Sequence, residues 1–324
     1  LAFHLAEAKA GKIVLLEKRH LASGPTSRSG AMVRPLFTQT VYVQLVSEST
    51  RMFESWRNRV GGESGFVQNG FLRITSSLEQ TVIGGDLELT KECGQPYEIF
   101  KAADLPGVAP TGTFNGQELG ILFPRGGYAD PFATTVSLAS SAERLGATIV
   151  EGVQVTGIET QNSAVSGVQT DMGRIDAPVV VNCAGVWSDR IAHMASIELP
   201  IEIHRTPTGF FRRPEAMRTD GPILSDGVNL VYARPLGDSI LRAAHFGWTP
   251  DRSDPDQFDE TVSQIIHHFR MARFFTQLTK VVHGANDSVA KQKSPDTVDQ
   301  NSGREWILGR SDFLNPLKLL YVKS

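Results

Sequence analysis

The sequence predicts an α/β fold in which a parallel sheet and a mixed sheet are built from alternating stretches of one chain. Two runs, KIVLL at residues 12–16 and PVVVNC at residues 178–183, are apolar without alternation, which is typical of strands buried on both faces of a parallel sheet. Between these runs, Asp130 and Pro131 mark the start of a helix that Gly146 ends. Later strand-like segments follow one another in the way that mixed sheets do.

The first segment of the chain combines a helix, a strand and an acid. Apolar residues recur at helical spacing over residues 1–10, Gly11 suits the end of that helix, and Glu17 directly follows the apolar run at residues 12–16. In a dinucleotide-binding βαβ unit, an acid at the end of the second strand accepts hydrogen bonds from ribose hydroxyls. Glu17 stands at that position, and the alternative is an ordinary solvated glutamate. The glycine-rich turn of such a unit would lie upstream of Leu1.

Two later segments consist mainly of small residues. Residues 22–32 read ASGPTSRSGAM, in which backbone amides and hydroxyls can approach a pyrophosphate and Arg28 would neutralise its charge. Residues 179–188 read VVVNCAGVWS, a strand that runs into a small-residue turn and a helix, which allows a ligand to lie at the carboxyl end of a parallel sheet. The alternatives are an ordinary surface loop and a routine strand–turn–helix crossover.

The long segment at residues 38–60 is predicted to form one amphipathic helix, ended by Gly61 and Gly62. Its buried stripe is predicted to comprise Tyr42, Leu45, Val46, Ser49, Met52, Phe53 and Trp56. Further elements are predicted as strands around the Asn69-Gly70 turn at residues 65–75, a helix at 78–93 and a strand at 119–123.

The second half of the chain begins with the capped helix, predicted over residues 130–144. A helix is expected near Trp187, another over residues 258–278, and a solvated loop or insertion over residues 286–303. Strands are predicted at residues 148–150, 153–160, 163–170, 178–183, 201–211, 229–235, 239–243, 306–309 and 317–322.

Composition excludes several classes of protein. A net charge of -3 over 324 residues argues against a nucleic-acid-binding protein. The two cysteines, Cys93 and Cys183, are far apart, which argues against a disulfide scaffold or a zinc site and predicts a reducing compartment, the cytoplasm. No metal site is predicted. No apolar run approaches the roughly 20 residues that span a bilayer, and the N-terminus lacks the features of a signal peptide.

The order of these motifs resembles the D-amino-acid oxidase superfamily of FAD proteins, and most closely its sarcosine oxidase and glycine oxidase branch. The motifs are short, and together they extend roughly from residue 1 to residue 250. The resemblance rests on residues 1–17, 22–34, 126–131, 151–159 and 179–188, and on Tyr232-Ala233-Arg234-Pro235.

The resemblance implies FAD as the cofactor and a role for each matching residue. Glu17 would bind the adenosine ribose, and Val153 would meet the adenine through its backbone. Arg34 would bind the carboxylate of the substrate, and the alternative is a surface or ion-paired arginine. The pyrophosphate and the flavin would be lined by Lys18, Ser23, Gly24, Ser27, Arg28, Ser29, Gly30, Ala31 and Met32, and the nucleotide would be covered by Ala184, Gly185 and Trp187.

The resemblance also implies two interleaved domains. An incomplete, Rossmann-like FAD-binding domain would comprise residues 1–62, 125–203 and 303–324, and a mixed-sheet substrate domain would comprise residues 63–124 and 204–302. The sequence departs from the family pattern because the glycine-rich segments expected at each end are absent, which indicates truncation. Residues 286–303 also depart from it, since only Ser294-Pro295-Asp296 matches the family there.

The expected activity is oxidation of a small-molecule amine or amino acid, with hydride transfer to flavin and hydrolysis of the resulting imine. One alternative is a flavin-dependent hydroxy-acid or glycerol-phosphate dehydrogenase. Another is a non-catalytic remnant or partner subunit, which the missing ends and the polar stretch at residues 286–303 favour. No nucleic acid or membrane is expected as a partner, and the sequence identifies neither the electron acceptor nor a partner subunit.

Overall fold

The computed structural model describes residues 1–37, 39–76, 86–109, 114–203, 208–213, 220–245, 254–256 and 318–323. The predicted helix at 258–278, the polar stretch at 286–303 with its Ser294-Pro295-Asp296 motif, and the predicted strand at 306–309 lie outside these residues. The helices are α1 (Ala2–Glu7), α2 (Pro25–Arg28), α3 (Thr40–Glu54), α4 (Trp56–Arg59), α5 (86–92), α6 (Leu105–Val108), α7 (Pro131–Arg144) and α8 (Ser188–His193), with a 3-10 turn at Gly185–Trp187.

The strands form two large sheets and two small ones. Their bounds are β1 (Lys12–Glu17), β2 (Met32–Val33), β3 (Phe71–Thr75), β4 (Glu98–Lys101), β5 (Leu119–Phe123), β6 (Gly127–Tyr128), β7 (Thr148–Glu151), β8 (Val155–Gln161), β9 (Ala164–Thr170), β10 (Gly173–Asp176), β11 (Val179–Asn182), β12 (Thr208–Arg212), β13 (Ile223–Asp226), β14 (Val231–Leu236), β15 (Ile240–His245) and β16 (Lys318–Lys323).

The first sheet has four strands in the order β11-β16-β1-β7. Strand β1 is parallel to β7, and both β1 and β11 are antiparallel to β16. The strands β1, β7 and β11 therefore run in one direction, and their carboxyl ends lie at one edge. The predicted parallel arrangement is correct for these three strands, whereas β16 enters antiparallel and supplies backbone partners to β1 and β11.

A small antiparallel sheet, β10-β9-β8, follows β7 and packs beside the first sheet. Val153, Val155 and Val168 join Trp187 and Ile191 in one buried cluster. Strand β10 was not predicted, because its sequence GRID offers one apolar residue and only its pairing with β9 makes it a strand.

The large mixed sheet has seven strands in the order β12-β15-β14-β13-β3-β5-β4. Its strands come from two separated stretches of the chain, at residues 71–123 and 208–245, which meet where β3 runs parallel to β13. One face packs on a buried core that includes Leu72, Leu224 and Leu241. The other face turns towards the loop at residues 22–32, as described below.

The helix predicted over residues 38–60 is divided, since α3 ends at Glu54 and α4 begins at Trp56. The predicted buried stripe is also wrong in part, because Tyr42 and Leu45 are 51% and 58% exposed. The helix instead buries Val43 with the small hydroxyl residues Ser47 and Thr50. Thr50 satisfies its hydroxyl by donating to the Val46 carbonyl oxygen at 2.9 Å.

The Asn69-Gly70 turn does not join two paired strands. Val67 forms an isolated bridge with Tyr128, whereas β3 pairs with β5 and β13. Gly70 has φ 87°, in the left-handed region that glycine adopts without strain. Gly70 therefore allows the chain to change direction between the bridge at Val67 and strand β3.

Helix α7 is confirmed close to its predicted limits. The Asp130 carboxylate accepts the Ala133 backbone N–H at 2.9 Å, and Pro131 occupies the first turn. Within the described part of the chain, no helix is long and apolar enough to cross a membrane.

Candidate functional site

Glu17 lies at the carboxyl end of β1, where the sheet edge turns into loops. The residue is 0% exposed, and its Oε1 atom accepts the backbone N–H of Arg19 at 3.3 Å. Its carbonyl oxygen accepts the N–H of Val153 at 3.1 Å. The acid predicted to bind ribose and the backbone predicted to meet adenine are therefore neighbours, because β1 and β7 run parallel in register from Val14 to Glu17.

The turn after β11 lies at the same edge as Glu17. Leu16 and Asn182 both pair with Leu319, so the two strands end at the same level on either side of β16. They are two strand spacings apart, about 9–10 Å. Ala184 and Trp187 also share the buried cluster that contains Val153. The structure therefore brings the predicted ribose, adenine and covering residues to one edge of one sheet.

Asn182 shapes that turn, although the sequence analysis did not single it out. Its Oδ1 atom accepts the N–H of Ala184 at 3.1 Å, and its amide donates to the Ser188 carbonyl oxygen at 2.8 Å. The Trp187 N–H donates to the Ala184 carbonyl oxygen at 3.1 Å, and Gly185 between them has φ 59°. The turn is thus a compact, internally bonded unit that presents small residues.

The indole of Trp187 is fixed by a distant part of the chain. Its Nε1–H donates to Asp256 Oδ1 at 3.0 Å. Arg190 of α8 forms ion pairs with Asp256 and, at 2.8 Å, with Asp254. The described residues 254–256 therefore contact the turn that follows β11 and helix α8 directly. No sequence pattern indicated this contact.

The loop at residues 22–32 is bounded by two alanines in an uncommon conformation. Ala22 has φ 60° and Ala31 has φ 51°, and left-handed geometry costs roughly 1–2 kcal/mol for a residue with a Cβ. Strain of this kind concentrates at ligand-binding segments. Gly24 precedes α2, the single helical turn within this loop, and Ser27 donates to its carbonyl oxygen at 3.2 Å.

The chemistry of this loop fits the pyrophosphate that the sequence analysis assigns to it. The Ser23 hydroxyl is buried and has no hydrogen-bond partner among the described residues, so it is a donor that a phosphate oxygen would satisfy. Ser27, Arg28 and Gly30 of the loop are partly exposed and Ser29 is exposed, and Lys18, which directly follows β1, is also partly exposed. The loop therefore offers hydroxyl and cationic donors beside the edge that carries Glu17.

The loop is hydrogen-bonded to two other segments on which the family resemblance rests, residues 126–131 and 151–159. Met32 pairs with Tyr128, and the Ala31 carbonyl oxygen accepts the Ala129 N–H at 3.0 Å. At its other end, Glu151 accepts the Leu21 N–H at 3.3 Å. Segments 22–34, 126–131 and 151–159, which are far apart in sequence, are therefore contiguous in space.

Two buried arginines of the seven-stranded sheet reach this loop. Arg234 Nε donates to the Gly30 carbonyl oxygen at 2.7 Å, and its guanidinium carbon lies 4.7 Å from the centre of the Tyr128 ring. Arg242 donates to the Arg28 carbonyl oxygen. Desolvation lowers the pKa of both arginines, and the charge of Arg242 lowers the pKa of Arg234 further.

Arg34, the predicted carboxylate ligand, lies just beyond β2. Its guanidinium carbon is 4.9 Å from the centre of the Phe37 ring. Loss of surrounding water and the nearby positive charge of Arg73 lower its pKa, although the residue as a whole stays exposed. Arg34 therefore lies near a second arginine, and Arg73 itself donates to Ser225 Oγ at 3.1 Å.

Arg234 lies in a tetrapeptide that matches the family pattern, whereas no sequence motif includes Arg73 or Arg242. Each of the three occupies a strand whose neighbouring residues are buried and apolar. The sequence signal for these three residues was an arginine that lies between apolar residues of a predicted strand. Among the described residues, no group of His, Cys, Asp and Glu side chains could hold a metal ion.

A comparison with protein-family models matches residues 1–297 to the model described as DAO, FAD dependent oxidoreductase. Among curated proteins, mitochondrial sarcosine dehydrogenase of Mus musculus is 28% identical over 245 residues, which cover 74% of this chain and 27% of that protein. The mitochondrial pyruvate dehydrogenase phosphatase regulatory subunit of Mus musculus is 23% identical over 247 residues, covering 74% of this chain and 28% of that protein. The chain thus spans about a quarter of the length of these relatives.

Among solved structures, L-proline dehydrogenase from P. horikoshii superposes with a TM-score of 0.75. The two are 22% identical, and the match covers 87% of this chain and 74% of the other. This likeness shows a shared fold, including the mixed α/β architecture predicted from the sequence.

Proposed function

The chain belongs to the DAO family of FAD-dependent oxidoreductases, and from that membership we propose that it takes part in oxidation of an amine or amino acid. When bound, the flavin supplies the acceptor for a hydride from the carbon that bears the nitrogen. The nitrogen lone pair then forms the C=N bond, the N–H proton passes to water, and water hydrolyses the resulting imine to a carbonyl compound and an amine or ammonia. The convergence of Glu17, Val153 and the Ala184–Trp187 turn at one sheet edge carries this proposal.

The chain's own residues would bind and orient the cofactor. The Glu17 carboxylate would accept the hydrogen bonds of the ribose, and the backbone at Val153 would meet the adenine. Ser23 and the hydroxyls and amides of the following loop would contact the pyrophosphate, while Ala184, Gly185 and Trp187 would cover the nucleotide. These assignments are supported by the buried Ser23 hydroxyl and by the contiguity of the three segments.

The division into two domains is part of the same proposal. The strands of the four-stranded sheet, at residues 12–17, 148–151, 179–182 and 318–323, fall within the proposed set 1–62, 125–203 and 303–324, and those of the seven-stranded sheet, within residues 71–123 and 208–245, fall within the proposed set 63–124 and 204–302. We therefore assign FAD binding to the first set and substrate binding to the second. The substrate would lie between them, where the loop at residues 22–32 meets the seven-stranded sheet.

The experiment that tests this function begins with the colour of the purified protein. We expect flavin absorbance that survives gel filtration, and anaerobic bleaching of that absorbance by N-methylglycine or another amino acid. Reduction by a 2-hydroxy acid or glycerol phosphate, with none by amines, would assign the protein to the alternative dehydrogenase class. Stable flavin that no donor reduces would contradict oxidation.

Glu17 provides the matched test of the cofactor site. Glu17→Gln removes the charge but keeps the shape, so we expect flavin retention at micromolar protein to fall roughly tenfold, the effect of about 1.4 kcal/mol of lost interaction. Glu143→Gln on the exposed side of α7 is the control and should retain flavin as the parent does. Equal flavin retention by both variants would show that Glu17 does not contribute to cofactor binding.

A non-catalytic role is the second candidate, and one observation favours it. A relative with 23% identity is named as a regulatory subunit of a phosphatase, so this scaffold also occurs in a protein named for regulation. A protein that binds flavin tightly yet resists reduction by every donor class would support this candidate.

We also propose a cytoplasmic location, on the ground that Cys93 and Cys183 are not joined to each other. Both curated relatives described above are named as mitochondrial. Fluorescence of a tagged full-length protein would separate the two compartments.

A further inference from the structure

The sequence contains two Asn-Gly pairs, Asn69-Gly70 and Asn115-Gly116. In such a pair, the backbone nitrogen of the glycine can attack the side-chain carbonyl carbon of the asparagine and close an imide ring, with loss of ammonia. Glycine favours this attack because it has no Cβ to restrict the backbone or obstruct the ring. The two pairs are chemically identical, so their surroundings decide which of them reacts.

Asn115-Gly116 lies in a turn, residues 115–118, that directly precedes β5 and is built around the Glu118 carboxylate. Glu118 is 5% exposed. Its Oε1 atom accepts the Asn115 N–H at 2.9 Å, and its Oε2 atom accepts the Gly116 N–H at 3.0 Å and the Gln117 N–H at 3.1 Å. A carboxylate therefore contacts the N–H group that must lose its proton for the ring to close, which is the contact that a general base requires.

The same turn holds the carbonyl group that is attacked. Asn115 Oδ1 accepts the Gln117 N–H at 3.0 Å, and Gln117 shares this N–H with Glu118. Negative charge develops on Oδ1 as the ring closes, and a donor placed there in advance stabilises that charge. Asn115 and Gly116 are both exposed, and a Cβ at Gly116 would meet no described atom within 4 Å. The turn therefore has room for the ring and access for water.

We propose that Asn115 is a site of deamidation that its own turn promotes, with Glu118 as the general base. Glu118 takes the Gly116 N–H proton while the bond between that nitrogen and Asn115 Cγ forms. It then returns the proton to Nδ2, the Cγ–Nδ2 bond breaks, and ammonia leaves. Water opens the imide, which restores the Gly116 N–H and leaves aspartate or isoaspartate at position 115. Water is the co-reactant, and no group is oxidised or reduced.

Asn69-Gly70 provides the comparison within the same chain. Gly70 is buried, and its N–H donates at 2.9 Å to the Gly126 carbonyl oxygen, which is not a base. The Asn69 side-chain amide donates to the Gly221 carbonyl oxygen at 2.6 Å. A Cβ at Gly70 would lie 3.1 Å from Leu122 Cδ1. The Gly70 nitrogen is therefore enclosed and bonded to a neutral acceptor, so we expect this pair to react slowly.

Deamidation at position 115 changes the turn that leads into the seven-stranded sheet. It places a second negative charge beside the Glu118 carboxylate, and like charges this close repel each other. Isoaspartate also lengthens the backbone, which alters the spacing of the N–H groups that Glu118 accepts. Strand β5 follows directly and lies between β3 and β4. We therefore expect the converted protein to unfold at a lower urea concentration than the freshly purified protein.

Ageing of the purified full chain tests the site without cofactor or turnover, so the result does not depend on the proposed oxidation. Samples are held in neutral buffer at physiological temperature, digested, and analysed by peptide mass spectrometry, with chromatography to separate isoaspartate. We expect Asn115 to convert at least about tenfold faster than Asn69 in the folded protein, a conservative figure for a positioned general base. In urea the two rates should approach each other, because unfolding removes the difference in surroundings. Equal rates at the two sites in the folded protein would overturn the proposal.

Glu118→Gln tests the role of the base. The amide keeps a carbonyl acceptor but cannot take the proton, so conversion of Asn115 should slow at least about tenfold. Glu143→Gln, on the exposed side of α7, is the control and should age as the parent does. A folded Glu118→Gln protein that converts at the parent rate would show that Glu118 is not the base. Should this variant not fold, Glu118→Asp keeps the charge but withdraws the carboxylate from the Gly116 N–H, and unslowed conversion in it would have the same effect.

Discussion

Gly30 lies so close to Tyr232 that it has no room for a side chain. A Cβ built at Gly30 would come 2.9 Å from the Tyr232 hydroxyl oxygen and 3.1 Å from Cζ. Gly30→Ala must displace either the loop or the ring, and we expect it to cost about 1–3 kcal/mol, as overpacking usually does. Because the same loop carries the proposed cofactor contacts, flavin retention should fall as well.

Gly107→Ala is the matched control for that substitution. A Cβ at Gly107 meets nothing within 4 Å, and its φ is outside the left-handed region. Urea unfolding and flavin absorbance of the two variants provide the measurement. A Gly30→Ala protein as stable and as yellow as Gly107→Ala would show that the close approach is relieved without consequence.

At the scale of single elements, helix α7 provides a defined test of local stability. Asp130 caps its first turn, and removal of such a cap usually costs about 1 kcal/mol. We expect Asp130→Ala to lower the free energy of unfolding by that amount and Asp130→Asn to restore most of it. Urea denaturation at neutral pH measures both variants, and an Asn variant as unstable as the Ala variant would assign the effect to charge instead.

Elements with strong local signals were predictable from the sequence, and elements defined by their neighbours were not. The capped helix α7 and the apolar strands β1 and β5 lie close to their predicted limits. Strand β13 was missed because ILSD is short and becomes a strand only between β3 and β14. The buried face of α3 was misassigned because small hydroxyl residues, rather than Tyr42 and Leu45, meet the core.

The same limit applies to the candidate site. Glu17 and the small-residue segments were predictable because their motifs are local and ordered along the chain. The approach of Arg242 to the loop at Arg28 depends on strand register across 214 positions of sequence, which no local pattern contains. Local motifs therefore indicate the candidate residues that they contain, and they do not indicate those that the opposing sheet supplies.

At the scale of the whole molecule, one ion pair joins helix α3 to the turn after β5. Arg125 Nε donates to Glu54 Oε1 at 2.8 Å. The hydrogen bond from Arg125 is the largest cause that lowers the pKa of Glu54. Because the folded-state pKa lies below the unfolded one, the pair's stabilisation is present above the unfolded pKa and is lost as the pH falls through the folded pKa.

We therefore expect Glu54→Gln to destabilise the protein by up to about 1 kcal/mol at pH 7, since the pair is partly exposed. The difference from the parent should shrink below about pH 4.3, the ordinary pKa of a glutamate, because the unfolded chain then binds a proton that the folded parent binds only at lower pH. Urea denaturation at both pH values measures it, with Glu143→Gln as the control. A difference that persists unchanged in acid would show that packing, not charge, is responsible.

The contact between Trp187 and Asp256 joins positions 69 residues apart, and it has a thermodynamic consequence. A small molecule that binds best when the Trp187 indole is hydrogen-bonded to Asp256 stabilises that hydrogen bond. Because coupling between two sites is reciprocal, the hydrogen bond strengthens binding of the molecule by the same free energy. Binding of such a molecule beside Trp187 and the contact of residues 254–256 with that tryptophan therefore stabilise each other.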